Sequence, residues 1–390
     1  MKKLIFLLIS LPILCISQQT YVPDNNFEQA LINLGYDNVL DDSVITANID
    51  TITALHITSL SIADLTGIQD FTDLTVLNCS YNVLSNLDVT QNFALKELYC
   101  IDNQLTILDV TQNIALTYLR CRENQLTILD VSQNTALILL DCFSNQLSSL
   151  DISQNTDLII VFCLDNQLSN LDITQNLVLE ELFCQNNQLT SLDVTLNTLL
   201  TQLDCSYNQL TTLDVTKNTA LSEFHCRNNL LSELDVTQNN AVIEFDCQDN
   251  QLSCLNIKNG NNTNMNNFNA ILNSNLTCIE VDNVAWSTTN WTNIDAQTSF
   301  STNCNNLCTI TSIKENTINT SLFPNPTNDL ITLNIEGYTG SFEVEIYDLQ
   351  GRLLETTKSR TVSLKKYSKG IYVFRVSYGD KTEEVRVLRD

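Results

Sequence analysis

A constant interval of 21 residues separates nine cysteines in the middle of this 390-residue chain. One repeat has the form L-x-x-L-x-C-x-x-N-x-L-x-x-L-D-V-T-x-N-x-A, and it stays in register over residues 74–257. Periods of roughly 20 to 50 residues are typical of stacked repeat proteins, in which each repeat buries its core against its neighbours. The chain is therefore expected to form a solenoid. The ladder cysteines are Cys79, Cys100, Cys121, Cys142, Cys163, Cys184, Cys205, Cys226 and Cys247.

These cysteines occupy a core position in a short strand. In the segment TYLRC, Leu119 and Cys121 are two residues apart, so both point inward, whereas Tyr118, Arg120 and Arg122 point outward. A disulfide between successive turns is disfavoured, because it needs Cβ atoms about 3.8 Å apart and stacked strands lie about 4.8 Å apart. A metal row is also disfavoured, because metal sites need ligands that converge on one point. The pattern predicts buried free thiols and no metal site.

An asparagine follows each strand, at the position where the chain turns. Its amide can satisfy buried backbone groups that water does not reach. With its leucine and asparagine spacing, the segment 74–257 closely resembles leucine-rich repeats. The resemblance implies a mainly β solenoid with one parallel strand per turn, a short non-helical convex side and a concave sheet. The turn asparagines are Asn82, Asn103, Asn124, Asn145, Asn166, Asn187, Asn208, Asn229 and Asn250.

A second polar ladder lies in the LDVT segment on the other side of each coil. Its carboxylates stack about 5 Å apart and should repel one another. Either each one accepts local N–H bonds in a turn, which we favour, or cations bridge the row. The aspartates are Asp88, Asp109, Asp130, Asp151, Asp172, Asp193, Asp214 and Asp235, and the asparagines four residues later are Asn92, Asn113, Asn134, Asn155, Asn176, Asn197, Asn218 and Asn239.

A solenoid needs caps, because its two ends expose the core. Residues 18–73 are predicted to form an N-terminal cap and an irregular first repeat, beginning with a helix in which Asn25 and Glu28 have capping-box spacing. Residues 258–308 are predicted to form the C-terminal cap, with Phe268, Trp286 and Trp291 over the last turn.

Four cysteines after Cys247 lie off the 21-residue ladder. An exported protein commonly carries disulfides, so these four are the candidates for bridging. Cys278 with Cys304 is the preferred pair, although spacing leaves the connectivity open. The four are Cys254, Cys278, Cys304 and Cys308.

Residues 1–17 have a basic start, a short apolar run and a small final residue, as in a secretory signal peptide. The run is shorter than the ~20 residues that span a bilayer, and no later segment is apolar for long enough. With 45 acidic and 19 basic residues, the net charge is −26. Such a surface repels nucleic acid and anionic lipid. We therefore expect an exported protein with no nucleic-acid partner and no membrane insertion.

Residues 309–321 are polar and predict a linker, and the composition changes after them. The last segment, 322–390, holds ten acidic and ten basic residues, so the net acidity belongs to the preceding part of the chain. It resembles the type A C-terminal sorting domain of the type IX secretion system. This resemblance implies a small β-sandwich, recognition by the outer-membrane export machinery, and a secreted or outer-surface location. The matching residues include Pro324, Asn325, Pro326, Gly351, Gly370 and Tyr372.

Catalysis is not predicted, because the two histidines, His56 and His225, stand in no nucleophile motif, and no phosphate-binding glycine loop occurs. No cofactor is predicted either. Outward strand positions vary and include apolar, aromatic and arginine side chains, which favours a monomeric binding protein with an unknown protein or glycan ligand. The alternative is a structural spacer, whose aromatic residues only stabilise the sheet. The candidate ligand-binding residues are Tyr99, Ile101, Tyr118, Arg120, Arg122, Phe143, Phe162, Leu164 and Phe183.

One part of this face is predicted to dominate binding. Phe143, Phe162 and Phe183 lie on consecutive turns, and Arg120 and Arg122 lie one turn earlier. Together they predict a basic and aromatic hollow in a strongly acidic protein. We expect an anionic or aromatic-stacking partner to bind there.

Overall fold

The computed structural model describes residues 18–304, 308, 320–323, 327, 329–335, 340–348, 352–378 and 381–389. The predicted signal peptide and residues 309–319 of the predicted linker lie outside these ranges. The chain divides into two compact units, residues 1–310 and 311–390, which are considered separately below.

The first unit begins with a cap. Strands β1 and β2 pair antiparallel, and helix α1 lies between them in sequence. Two short 3-10 turns, Thr46–Asn48 and Ile68–Asp70, follow β2. Val22, Phe27, Leu31 and Val44 of this region are buried in the same core as the repeats, so the cap closes that end of the apolar interior. The bounds are β1 Gln19–Tyr21, α1 Asn25–Asn33 and β2 Ser43–Ile45.

The predicted capping box of α1 is wrong. The N-cap is Asp24, whose Oδ1 accepts the backbone N–H groups of Asn26 and Phe27 at 2.9 and 3.0 Å. Its Oδ2 accepts the N–H groups of Ala63 and Asp64, so one carboxylate serves two segments that are distant in sequence. Glu28 does not reach back along the helix, because its buried carboxylate accepts N–H bonds from residues 41 and 43 instead.

One sheet of eleven parallel strands runs through the repeats. From residue 76 to residue 246, each strand residue of this sheet pairs with the strand residue 21 positions away in the adjacent turn, as Leu119 does with Leu140, so side chains at equivalent positions form columns. Successive strands follow one another along the sheet, which confirms a solenoid with one parallel strand per turn. The strands are β3 Ala54–His56, β4 Val76–Asn78, β5 Glu97–Tyr99, β6 Tyr118–Arg120, β7 Leu139–Asp141, β8 Ile160–Phe162, β9 Glu181–Phe183, β10 Gln202–Asp204, β11 Glu223–His225, β13 Glu244–Asp246 and β15 Asn267–Asn269.

The nine ladder cysteines are free and fully buried, as their inward position predicted. They form one column of the core beside the leucines of the strands. Burial disfavours the thiolate, and it raises the pKa of Cys79 to about 12. The other ladder thiols are shifted upward for the same reason. Cysteine therefore acts here as a compact apolar residue.

The asparagines after the strands tie each turn to the turn before it. Asn145 Nδ2 donates to the carbonyl oxygens of Cys121, Cys142 and Phe143 at 3.0–3.3 Å. Its Oδ1 accepts the N–H of Leu126 at 3.0 Å. The same set recurs at Asn103, at Asn124 and in later turns. The prediction that these amides replace water as backbone partners is confirmed.

The other side of each coil is built from turns rather than helices. Asp109 Oδ1 accepts both the N–H and the hydroxyl of Thr111, at 2.9 and 2.7 Å, and other members of the ladder make the same turn. These are the local bonds favoured from the sequence. Toward the C-terminal end, this side gains a second parallel sheet in the order β12-β14-β16-β17. Its strands are β12 Glu233–Asp235, β14 Cys254–Asn256, β16 Cys278–Glu280 and β17 Ser299–Ser301.

Aromatic residues and disulfides close the C-terminal end of the repeats. Trp291 stacks on Phe268 with ring centroids 4.3 Å apart, and Trp286 meets Trp291 edge-on at 5.6 Å. A 3-10 turn, Asn262–Asn264, and helix α2, Val284–Asn290, belong to this cap. Two disulfides, Cys278–Cys304 and Cys254–Cys308, join the off-ladder cysteines.

The second unit consists of two small antiparallel sheets. Their orders are β18-β19-β22 and β21-β20-β23-β24. Ile331 and Leu333 from one sheet share a buried core with Val344, Ile346 and Phe374 from the other. In the described part of the chain, no helix is long and apolar enough to cross a membrane. The strands are β18 Thr320–Phe323, β19 Leu330–Ile335, β20 Phe342–Asp348, β21 Leu353–Thr357, β22 Thr361–Ser363, β23 Gly370–Tyr378 and β24 Lys381–Arg389.

Candidate binding face

The outward side of the eleven-stranded sheet, here called the sheet face, presents three columns of side chains. Two columns are the first and last residues of each strand, and the third lies two residues beyond the strand end. Between residues 97 and 248, the first column contains Glu97, Tyr118, Leu139, Ile160, Glu181, Gln202, Glu223 and Glu244. The second column contains Tyr99, Arg120, Asp141, Phe162, Phe183, Asp204, His225 and Asp246. The third column contains Ile101, Arg122, Phe143, Leu164, Gln185, Ser206, Arg227 and Gln248.

Two phenylalanines form the aromatic centre of this face. Phe162 and Phe183 are paired in register on β8 and β9, and their rings stack with centroids 5.0 Å apart and planes inclined by 24°. Both rings are half-buried, so part of each remains in contact with solvent. Ile160 and Leu164, also half-buried, flank Phe162 in the adjoining columns. We call these four side chains the aromatic shelf.

The two arginines on the N-terminal side of the shelf are already engaged within the protein. The Arg120 guanidinium lies over the Tyr99 ring at 6.0 Å, and that of Arg122 lies over the Phe143 ring at 5.1 Å. Such cation–π contacts hold the guanidinium groups against the sheet. The hydroxyl of Tyr99 donates to a neighbouring carboxylate at 2.7 Å, and burial and this bond raise its pKa to about 12.

Asp141 compensates the charge of these arginines. Its carboxylate is 3 % exposed and lies 3.8 Å from Arg122 Nε. Burial raises the pKa of Asp141, while Arg122 and then Arg120 oppose that rise. The predicted basic hollow is therefore charge-compensated from within. Asp141 was not among the predicted site residues, although the 21-residue register places it directly between Arg120 and Phe162.

The structure separates some of the residues predicted to act together. Ile101 is 7 % exposed, so its predicted outward exposure is wrong. Phe143 lies in the third column, beneath Arg122, rather than in the column of Phe162 and Phe183. Tyr118 remains half-buried on the face. The shelf thus contains two stacked rings rather than three.

The C-terminal part of the sheet face is acidic. Asp204 pairs in register with Phe183, and His225 and Asp246 follow on the next two strands. His225 Nδ1 lies 4.0 Å from an Asp204 carboxylate oxygen, and Arg227 lies 3.9 Å from Asp246. These residues can be read from the sequence, but only their alignment in columns on the sheet shows that they form one acidic surface.

Within the described ranges, no group of three or more histidine, cysteine, aspartate or glutamate residues is arranged to hold a metal ion. The described side chains of this face offer ring stacking, apolar contact and charge pairing.

The sorting-signal residues can be located in part. Gly370 begins β23 with φ of +151°, a conformation that side-chain-bearing residues rarely adopt. Tyr372 is buried, and its hydroxyl donates to the Ser368 carbonyl at 2.6 Å. Both residues are thus held within the second unit. Pro324, Asn325, Pro326 and Gly351 lie outside the described residues.

Comparison with known proteins assigns the C-terminal segment. Residues 321–388 match the family described as "Secretion system C-terminal sorting domain". The chain carries a type IX sorting domain. The resemblance noted from the sequence is confirmed, and the domain indicates secretion or attachment to the outer surface.

The repeats are similar to those of internalins. A solved structure described as the functional domain of InlJ from Listeria monocytogenes, which includes a cysteine ladder, has a TM-score of 0.54 and 25% identity, covering 96% of this chain and 99% of that one. Internalin J of Listeria monocytogenes serotype 4b (strain F2365) is 37% identical over 72 residues, which are 18% of this chain and 8% of the relative. The alignment therefore spans a small fraction of that relative. The first unit is a leucine-rich-repeat solenoid.

Proposed function

We propose that this protein is exported by the type IX secretion system and binds a partner through the sheet face of its solenoid. The observation that carries this proposal is the aromatic shelf, in which the stacked Phe162 and Phe183 are partly open to solvent. Large apolar side chains at the centre of a polar surface are frequent anchors of protein interfaces. The role proposed is recognition or adhesion without catalysis, by a monomer.

A structural spacer is the alternative. Rings on neighbouring strands stabilise a sheet by cross-strand packing, so stacking between Phe162 and Phe183 is also expected in a protein with no ligand. The two functions differ in what the loss of both rings should change. Loss of a binding anchor reduces affinity at little cost in stability, whereas loss of a purely structural pair lowers stability alone.

The test compares two double variants of the full chain. Phe162→Ser with Phe183→Ser removes the shelf rings, and Phe93→Ser with Ile114→Ser removes two side chains that are 56 % and 64 % exposed in turns outside the sheet. The probes are an array of neutral and acidic polysaccharides and a set of purified surface proteins. We expect binding by the wild type and by the turn variant, and loss of binding in the shelf variant.

The melting temperature of each variant completes this experiment. A shelf variant that melts within a few degrees of the wild type and has lost binding supports recognition. A shelf variant that binds every probe as the wild type does, with a much lower melting temperature, overturns the proposal and favours the spacer.

Export is tested by a deletion. The family match over 321–388 leads us to expect that removing residues 322–390 leaves the solenoid folded but retained in the periplasm. Protease accessibility on intact cells measures surface exposure. Surface display of the truncated chain would contradict dependence on the sorting domain, and the export machinery would then not be a required partner.

A further inference from the structure

The sheet face carries very different charge on the two sides of the aromatic shelf. In the three columns, turns 97 to 143 hold two arginines and two carboxylates, which cancel. Turns 181 to 248 hold five carboxylates and one arginine, for a net charge of −4 with neutral histidine. The turn between them, with Ile160, Phe162 and Leu164, has no charged side chain in these columns. The net charge of the sheet face therefore changes from zero to negative from the N-terminal to the C-terminal strands.

Internal contacts explain why the N-terminal arginines are poor anchors for an anionic ligand. Arg122 is paired with the buried Asp141 at 3.8 Å, and both guanidinium groups lie over aromatic rings. An incoming anion would compete with a carboxylate that the fold fixes in place. This replaces our sequence-based expectation of an anionic partner.

The carboxylates beyond the shelf have much less internal compensation. Arg227 and His225 approach Asp246 and Asp204 at 3.9 and 4.0 Å, about as far as Arg122 lies from Asp141. Here, however, five carboxylates face one arginine, and Asp204 and Asp246 are less buried than Asp141. Burial raises the pKa of Glu181, and the neighbouring carboxylates of Glu180 and Glu223 raise it further. Like charges held close together on a sheet repel one another. A cation brought by a partner would relieve this repulsion.

The distance between the apolar and acidic parts restricts the partner. Asp204 pairs with Phe183 on the adjacent strand, so this first carboxylate lies one strand spacing, about 4.8 Å, from the shelf. Asp246 lies two strands further along the same column. An extended chain crossing the strands advances about 3.3 Å per residue. A basic residue one to four positions from an apolar anchor therefore reaches this acidic part.

On the premise that the sheet face is the binding site proposed above, we propose that it recognises a basic protein segment. An aromatic or aliphatic residue of that segment packs on the shelf, and lysine or arginine residues nearby pair with Asp204, Glu223 and Asp246. A protein is the chosen partner because it supplies apolar and cationic groups in one chain. Acidic glycans and nucleic acids would be repelled by the same carboxylates.

The experiment pans a random-peptide display library against the full-length protein. We expect the enriched peptides to have a net positive charge, with lysine or arginine one to four residues from an aromatic or aliphatic residue. Synthetic versions should bind wild type and lose affinity at least tenfold in Phe162→Ser with Phe183→Ser. Their affinity should also fall as ionic strength rises, because charge pairs at an exposed surface are screened.

A charge-matched pair of variants identifies the acidic contribution. Asp204→Asn with Asp246→Asn should weaken the basic peptides about tenfold, while keeping the side-chain oxygen that accepts the N–H two residues on. Asn78 makes that bond at the equivalent position, so asparagine fits there. Asp88→Asn with Asp109→Asn removes two charges from the turns opposite and should change affinity less than twofold.

The outcomes separate this inference from the proposed function. Enrichment of acidic or uncharged peptides that still depend on Phe162 and Phe183 overturns the basic-partner inference and leaves the binding face intact. The basic-partner inference is also overturned if Asp204→Asn with Asp246→Asn and Asp88→Asn with Asp109→Asn bind the peptides with equal affinity. If no enriched peptide depends on the two phenylalanines, the binding face itself is wrong, and the inference that rests on it is wrong too.

Discussion

The two asparagine ladders of the solenoid have the same period and similar burial, yet they are bonded differently. Asn145, after a strand, uses its Nδ2 for three carbonyl groups and its Oδ1 for the N–H of Leu126. Asn155, in the opposite turn, donates to the carbonyls of Val131 and Asn134, and its Oδ1 has no hydrogen-bond partner. Equal repetition in sequence therefore does not mean equal contribution to stability.

The two asparagines differ in which backbone groups lose their hydrogen-bond partner when the amide is removed. Leu126 N–H has Asn145 Oδ1 as its hydrogen-bond acceptor, so losing the amide leaves a buried donor unpaired. The carbonyls of Val131 and Asn134 also accept the N–H groups of Asn134 and Leu137, so both keep a partner without Asn155. A buried group with no partner costs about 1–3 kcal/mol, more than the net value of an ordinary hydrogen bond.

The largest effect is therefore expected for Asn145→Ala. Loss of four bonds, one of them the partner of a buried N–H, should reduce the free energy of unfolding by about 2–4 kcal/mol. Urea titration followed by tryptophan fluorescence measures it, because both tryptophans, Trp286 and Trp291, lie in the cap of the solenoid. A loss below 1 kcal/mol would remove the distinction between the ladders.

The ladder thiols report where the solenoid opens. All nine are buried and free, and their raised pKa values disfavour the reactive thiolate, so native protein should resist labelling until it is denatured. Asn145→Ala should raise labelling of Cys121 and Cys142, the two cysteines whose carbonyls it binds, at least tenfold over Cys226. Peptide mapping by mass spectrometry resolves the sites. Rapid labelling of the wild type would contradict the buried ladder.

A smaller effect is expected for Asn155→Ala. The cavity left by the side chain is of the same size as in Asn145→Ala, so the comparison cancels that contribution. Removal of an unpartnered Oδ1 costs nothing in hydrogen bonding, and the two carbonyls keep other partners. We expect a loss of about 1 kcal/mol in the same urea titration. A loss equal to that of Asn145→Ala would mean that an unseen partner, such as a buried water, satisfies Oδ1.

Periodicity predicted what every turn shares. The inward Leu119 and Cys121, the parallel strands and the role of the turn asparagines all follow from a 21-residue repeat and strand alternation. These features are local, or involve the next identical turn. Because each turn packs against turns of nearly the same sequence, the repeat itself predicts the contacts between them.

Features that depend on one unique neighbour were not predictable in the same way. Asp24 caps the helix through local bonds to Asn26 and Phe27, but its second oxygen also accepts the N–H groups of residues 63 and 64, which no local spacing indicates. Asp141 and Ile101 occupy outward positions in the strand pattern but are buried in the structure. The candidate binding site depends on such neighbours, so its charge balance emerged from the structure.

The smallest expected effect on stability concerns the aspartate turns. They lie on the side of the coil where the asparagine Oδ1 atoms lack hydrogen-bond partners, and the question is how much they stabilise that side. The hydroxyl and N–H of the residue two positions on hold the pKa values of Asp88, Asp109, Asp130 and Asp151 below the usual range. A folded-state pKa below the unfolded value of about 3.9 stabilises the protein above that pH. This contribution is lost as the pH falls through the folded pKa, so the urea midpoint should drop below about pH 4.

Thr111→Val isolates one such turn by removing the hydroxyl that donates to Asp109 at 2.7 Å. We expect a loss of about half a kcal/mol at pH 7, because the bond is exposed, and a smaller loss at pH 3, where Asp109 is largely protonated in the unfolded chain. Thr117→Val is the matched control, since its hydroxyl donates to the Lys96 carbonyl and to no carboxylate. Its effect should be equal at both pH values. If both variants respond to pH alike, the aspartate turns do not set the acid sensitivity, and the stability of this side must come from its buried leucines and valines.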